Sequence, residues 1–371
     1  MKITDAKVLF VSDVYPSSNG VGSYYLDIVE LLNNNFVKSV LLHPTPFSRK
    51  LNVRQNWLTF IDLPGDKNQR LFIPNPSQVN SFINEFKPDL IVLTTPGLFS
   101  YIALRYGIRR DCYFCYAIHT DFPSLTKLYW REPLATFISK IMFLIDKFFS
   151  SKCSEIVAPS LNISNTLSQR FNRSVTRVGT TLPQCFLNSF INDSTLSVNK
   201  IVFVGRLAPE KDIPSILSLC DVNPTKIFYI VGEGPLSTLV KEKSNSSSNL
   251  VYVGKLSRMD LCKFLDSIDL LLLPSLVESY GTVALEAMIR QKLVIVSASS
   301  GIASSLPFLL SDFIICESET LSEAFSRLCN LSFEKRKFLS QTARAFAISE
   351  VEKAKFDWLN IIKSSVQKKC V

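Results

Sequence analysis

Histidine is almost missing from this chain: His43 and His119 are its only 2 imidazoles in 371 residues. The 9 cysteines are scattered and odd in number; nothing in their spacing suggests a secreted disulfide framework, and they read as reduced core thiols in a cytoplasmic protein. Cys112 and Cys115 form a C-x-x-C, but no second cysteine or histidine pair at ligand spacing accompanies them. They fall inside the strand-like run CYFCYAIH, where residues three apart face opposite ways, so they read as structural thiols. No Asp-x-Asp stands where a strand-end metal site would use it, so no metal is expected. The segment IVGEGP (230–235) lacks the full G-x-G-x-x-G spacing, which argues against a nicotinamide enzyme. No run of about 18 uncharged apolar residues occurs, so no membrane span is expected. The opening MKITDAKVLFVSD reads as a strand carrying acidic residues and not as a signal peptide. Neither an aromatic–basic RNA motif, a zinc finger nor a helix-turn-helix pattern is present, which disfavours nucleic acid.

What is present is a folded composition, 47% apolar and 20% charged, on a chain long enough for two cores. The net charge of +9 is uneven: residues 1–185 carry 20 Lys+Arg and 13 Asp+Glu (+7), and 186–371 carry 21 and 19 (+2). A basic first half suits an anionic membrane face. The stretch PLATFISKIMFLIDKFF (133–149) bears on this. As a helix it gathers Phe137, Ile141, Leu144, Ile145 and Phe148 on one face, with Lys140 and Lys147 elsewhere. Two readings stay open: an ordinary core helix, or a face that meets a membrane.

Strand-like and helical runs alternate along the chain. Strands are expected at 7–14, 39–44, 58–63, 89–95, 112–119 and 155–160, with helices at 22–33, 77–86 and 161–171 among them. From 200 the pattern restarts with KIVFVG, KIFYIVG, NLVYVG, DLLLLP, KLVIVSA and DFIICE, and helices at 235–244, 259–267 and 282–290. Such alternation predicts parallel sheets wrapped by helices, hence α/β with two doubly wound Rossmann-like domains. The boundary is placed at 185/186, in a polar linker over roughly 183–199.

Two segments carry candidate chemistry. In SLVESYGTVALEAM, Glu278 follows a buried-strand run and Glu286 lies on the next helix. Ser279, Tyr280, Gly281 and Thr282 form the turn between them, where the amides of a helix N-terminus favour phosphate. Two carboxylates beside an anion site suit a nucleotide-sugar, since they can grip sugar hydroxyls. In KIVFVGRLAPEKD (200–212), Arg206 and Lys211 follow the carboxyl end of a strand, where open α/β sheets bind ligands. A fixed Arg–Lys pair could stabilise a departing diphosphate. The loop SDVYPSSNGVGSYY (12–25) adds Gly20 and Gly22 ahead of a helix, small enough to let backbone approach a ligand.

VGRLAPEKD, IVGEGP, VYVGKL and PSLVESYGTVALEAM, in this order and spacing, resemble the retaining family-4 (group 1) glycosyltransferases. The likeness is strong from about 200 to 300 and looser before it. It implies the GT-B architecture, two Rossmann-like domains facing a central cleft, with a C-terminal helix near Trp358 (about 350–371) returning to the first domain. It implies transfer of a hexose from a nucleotide-sugar, with retention, no metal and no cofactor. Glu278 would touch the donor sugar, Glu286 the ribose hydroxyls, and Arg206 and Lys211 the diphosphate. The HTDF stretch at His119 is similar to that of lipid-directed members, in which the histidine meets the donor sugar. Asp121 would then orient an acceptor hydroxyl, and the departing phosphate would take the acceptor's proton. Expected partners are a nucleotide-sugar, a lipid-linked or oligosaccharide acceptor and an anionic membrane surface, at the cytoplasmic face.

Three departures from the family pattern stand out. The glycine pair of the first loop is split by Val21, the Asn-Gly-Val-Asp turn is replaced by Thr180-Thr181-Leu182-Pro183, and the Gly-Gly-x-x-Glu loop reads SSGIASSL (299–306). These keep two alternatives in view: a non-catalytic glycan-binding scaffold, and a sugar-nucleotide epimerase on the same fold.

Overall fold

The computed structural model describes residues 6–16, 20–44, 59–63, 66–188 and 197–368. The chain divides into two units, one of residues 1–159, 163–181 and 352–371, the other of 160–162 and 182–351.

In the first unit, β1 (Lys7–Val11), β2 (Lys38–Leu42), β5 (Leu90–Leu93), β6 (Tyr113–Ala117), β7 (Glu155–Ala158) and β8 (Thr176–Arg177) form one sheet. Its order is β2-β1-β5-β6-β7-β8, and every pairing is parallel. Runs such as LIVL are buried along their whole length because helices cover both faces. Strand β6 shows the alternation: Phe114 and Tyr116 enter one core layer, Cys115 and Ala117 the other. Cys112 packs with the first layer and Cys115 with the second, as expected of two structural thiols. The helices are α1 (Gly20–Asn34), α2 (Pro76–Phe86), α3 (Leu98–Ile108), α4 (Phe122–Tyr129), α5 (Leu134–Lys152) and α6 (Leu161–Phe171). The run LTFIDL departs from expectation. Its described part, β3 (Thr59–Leu63), pairs antiparallel with β4 (Asp66–Ile73) in a two-stranded sheet of its own. Strand β4 begins DKNQR, too polar to read as a strand, so its partner looked like a member of the main sheet.

The second unit holds β9 (Lys200–Val204), β10 (Ile227–Val231), β11 (Leu250–Gly254), β12 (Leu270–Leu273), β13 (Leu293–Ser297) and β14 (Ile314–Ile315). They order as β11-β10-β9-β12-β13-β14, again all parallel. Counting from β9, that order is 3-2-1-4-5-6, the doubly wound Rossmann arrangement. DFIICE yields only a short strand, because residues 308–313 coil into 3-10 turns ahead of it. The helices are α7 (Gln184–Leu187), α8 (Ile213–Asp221), α9 (Ser237–Ser246), α10 (Arg258–Asp266), α11 (Thr282–Ile289), α12 (Leu321–Cys329) and α13 (Phe333–Lys368). Residues 352–368 of α13 belong to the first unit, where Trp358, Ile361, Ile362 and Val366 are buried.

Helix α5 turns its apolar stripe outward. Phe137 (61% exposed), Ile141, Leu144 (62%) and Phe148 face solvent, while Ala135, Asp146, Phe149 and Ser150 face in. Ile145 alone of the expected five packs partly against the core, so this is not an ordinary core helix. Among the described residues, no helix is long and apolar enough to cross a membrane.

Candidate functional site

In the second unit, strand order decides where side chains meet. Strands β9 and β12 are neighbours, and their following connections run to α8 and α11. The winding reverses there, so a crevice opens beyond their carboxyl ends. Arg206 and Lys211 leave β9, and Glu278 leaves β12. Lys211 Nζ stands 2.5 Å from Glu278 Oε2, and Arg206 Nη1 stands 3.2 Å from Glu210 Oε1. The Leu276 amide donates to the Glu210 carbonyl (2.8 Å), tying the two loops together. The IVGEGP turn braces the first loop from beneath: the Gly205 amide donates to Val231 O, and Leu207 N to Glu233 O, each at 3.0 Å.

The segment 275–281 is held by the serine-rich loop that departs from the family pattern. Ser299 Oγ donates to the Ser275 carbonyl (2.7 Å), Gly301 N to Glu278 O (3.0 Å) and Ile302 N to Tyr280 O (2.6 Å). Gly281 then caps α11 in the left-handed region, φ 98° and ψ 49°, where a Cβ would be strained. That helix has no side-chain cap and no acidic residue in its first turn, so its opening amides suit an anion. Ser279 and Thr282 are partly exposed beside them. Tyr280 is different: its side chain is buried and its hydroxyl donates to Glu350 Oε2 (3.1 Å), so only its backbone borders the turn.

Glu286 lies on α11 with 2% of its surface exposed. Burial raises its carboxyl pKa, and the Arg258 guanidinium, 2.5 Å from Oε1, opposes that rise. Its second oxygen has no partner among the described residues. Arg258 opens α10 and lies over the Phe186 ring, 5.3 Å from its centroid. Arg258 lies one residue ahead of the helix expected at 259–267, and no motif marks it as functional.

In the first unit, the strand order reverses between β1 and β5. Asp13 follows β1 and is buried. It accepts from Thr95 Oγ1 (2.7 Å), Gly97 N (3.1 Å), Phe99 N (2.6 Å) and Ser100 Oγ (3.0 Å), closing the N-terminus of α3. Burial pushes its carboxyl pKa up against these bonds, which pull it down. Asp13 was not singled out as a site residue, although its place at a strand end was visible. Gly20 opens α1 with empty space where a Cβ would stand, and Gly22 lies against Pro16, whose Cα is 2.5 Å from that point. Any larger residue at 22 would push the loop away. Asn19 lies outside the described residues.

His119 follows β6 beneath two aromatic rings: Tyr25 edge-on at 5.2 Å and Tyr24 at 5.4 Å. Tyr25 Oη is 2.5 Å from His119 Nε2. Part of His119 stays accessible, yet the packing desolvates its ring and pushes the imidazole down to about 4, so it is neutral. Asp121 accepts from Ser124 Oγ (2.6 Å) and faces Arg170 Nη2 at 3.6 Å. It is a partly exposed residue at the start of α4. Among the described residues, no group of three or more His, Cys, Asp and Glu side chains could hold a metal.

Comparison with known proteins follows the same division. Residues 18–179 match the model of Glycosyltransferase Family 4, and 188–346 that of Glycosyl transferases group 1. The sulfoquinovosyl transferase SQD2 of Arabidopsis thaliana is 24% identical over 242 residues, 62% of this chain and 46% of that protein. The match thus spans less than half of that relative's length. Sucrose-phosphate synthase from Thermosynechococcus elongatus superposes with a TM-score of 0.77 at 14% identity, over 98% of this chain and 100% of the other. Anabaena Alr3699/HepE, solved in complex with UDP-glucose, gives 0.68 at 14% identity, over 98% and 99%. The chain belongs to the group 1, family-4 glycosyltransferases, with their two Rossmann-like α/β domains.

Proposed function

We propose that the protein transfers a hexose from a nucleotide-sugar to a lipid-linked or polysaccharide acceptor, retaining the anomeric configuration and using no metal. The reading rests on one observation above the others: Lys211 and Glu278 meet beyond β9 and β12, ahead of the uncapped start of α11, with Arg206 paired to Glu210 on the loop that carries Lys211. A diphosphate there would meet two cations and the α11 amides, all positioned before it arrives. Lys211 is held by Glu278 within a partly buried pair, so its ammonium is placed without a long search through rotamers. As the sugar–phosphate bond breaks, the added negative charge falls on groups already oriented toward it. Glu286 can take the ribose hydroxyls on its second oxygen while Arg258 holds the first. HepE with UDP-glucose makes uridine donors the first series to test.

His119 and the loop bearing Gly20 and Gly22 would serve sugar and acceptor from the first unit, with Asp121 orienting an acceptor hydroxyl. The outward stripe of α5 supports a lipid-linked acceptor. Lys140 and Lys147 lie four and three positions from Leu144 and are exposed, and Phe148 continues onto Tyr101 of α3, ring centroids 6.2 Å apart. Apolar side chains flanked by lysines suit the interface of an anionic bilayer.

The test is thermal stabilisation by nucleotides and nucleotide-sugars, with turnover measured alongside. A ligand at 100 times its Kd adds about 2.7 kcal/mol, a shift of several degrees. Selective stabilisation and nucleotide release, both lost in Glu286→Ala, are expected. Full turnover by that variant would overturn the site, and no binding by the wild type would favour a non-catalytic scaffold.

A further inference from the structure

The first unit holds a buried phenol against a partly buried imidazole. Tyr25 is fully buried, and its hydroxyl reaches a single partner among the described residues, His119 Nε2 at 2.5 Å. A buried phenol must place its O–H on an acceptor. Were His119 to carry its proton on Nε2, both groups would be donors and the phenol hydrogen would be left without an acceptor. Only an unprotonated Nε2 satisfies the pair, which leaves the ring proton on Nδ1. Nδ1 itself has no partner among the described residues.

The surroundings fix this arrangement in place. Tyr24 packs on Tyr25 with centroids 4.8 Å apart, and Phe10 lies 5.4 Å from Tyr25 and 5.5 Å from Trp358. Trp358 Nε1 donates to Tyr24 Oη (2.9 Å), which donates onward to the Gly179 carbonyl (3.0 Å). Neither phenol can therefore swing away without breaking the layer. Asp357 acts on Tyr24, but burial is the cause that moves the His119 imidazole, and it lowers its pKa.

We propose that Tyr25 is a positioning residue that holds His119 as its Nδ1–H tautomer, so that His119 offers substrate a hydrogen-bond donor and not a base. The proposal rests on His119 meeting substrate as read above. A neutral N–H donor strengthens as negative charge grows on a sugar or phosphate oxygen, and it takes no proton from the acceptor. It therefore fits a reaction in which the departing phosphate is the proton acceptor.

The test uses nitrogen-15 NMR of the full chain, in which His43→Gln leaves one imidazole to observe. In the Tyr25 protein the pyridine-type nitrogen is expected at Nε2. In Tyr25→Phe the ring is expected to shift toward the Nε2–H form that free imidazole side chains prefer. Tyr24→Phe is the control: it removes an equally buried hydroxyl that does not touch the ring, and the tautomer should stay. On the His43 background, Tyr25→Phe should also lower kcat/KM about tenfold, chiefly in kcat, because the diphosphate and ribose contacts proposed for Arg206, Lys211 and Glu286 are untouched. An Nε2–H ring in the Tyr25 protein, or an unchanged tautomer in Tyr25→Phe, overturns the proposal. A tautomer that shifts with no loss of turnover keeps Tyr25 in its role and removes His119 from substrate contact.

Discussion

Single side chains in this protein owe their properties to one or two neighbours. Glu286 has 2% of its surface exposed, and that burial raises its carboxyl pKa while Arg258, 2.5 Å away, opposes the rise. Arg258→Ala should leave that carboxylate buried and unpaired, costing about 1–3 kcal/mol in chemical denaturation and weakening nucleotide binding. Denaturation curves that overlay the wild type would show that the pair is not structural. Asp146 gives a pH dependence of known sign. It accepts from Tyr116 Oη at 2.5 Å, and burial pushes its carboxyl from 3.8 up to about 6. The folded chain therefore holds this proton more tightly than the unfolded one. The stabilisation is complete below 3.8 and lost as pH rises through about 6. Asp146→Asn, compared with the wild type by melting temperature, should gain relative stability between about pH 4 and 6 and keep the gain above. His119 has the opposite slope: with its pKa pushed down to about 4, its contribution is present above 6.5 and lost as pH falls through 4. A wild-type-minus-variant difference that does not change with pH would remove Asp146 from this account.

At the scale of elements, periodicity located most strands and helices but could not tell which side of a helix is covered. The stripe on α5 is the clearest case. Its spacing predicts one apolar face and leaves open whether protein or solvent meets it, because an apolar stripe has the same spacing either way. In the structure the stripe is outward, and the inward positions include Asp146 and Ser150, which no hydropathy pattern would assign to a core. Leu144→Glu should then abolish co-sedimentation with anionic vesicles while leaving the melting temperature within about a degree, as exposed substitutions do. Binding that survives this charge would place the lipid elsewhere. Strand β3 carries the converse lesson: a run with the right period joined a separate antiparallel pair, since period alone does not choose a partner.

For the whole molecule, the chain crosses between units along α13, and its last turns complete the first unit. Trp358, Ile361, Ile362 and Val366 are buried there, each worth about 1.5–3 kcal/mol. Their sum is comparable to the net stability of a typical domain, about 5–15 kcal/mol. Ending the chain at Val351 should therefore unfold the first unit, so that limited proteolysis degrades residues 6–159 and 163–181 and spares 182–351. Equal survival of both parts would show that the C-terminal turns are dispensable.

The sequence by itself determined the two main sheets, their parallel character and the residues worth suspecting. Each of these follows from local spacing: buried β-runs, helices between them, and carboxylates or cations just past a strand end. Glu278, Glu286, Arg206 and Lys211 were legible for that reason. Tertiary structure decided which of them meet, because the pairing of Lys211 with Glu278, 67 positions apart in the chain, depends on β9 lying beside β12. It also turned the Tyr280 side chain into the core, supplied Arg258 to Glu286, and set Tyr25 against His119. Such contacts come from strand order and packing across long separations, and no local pattern of residues encodes them.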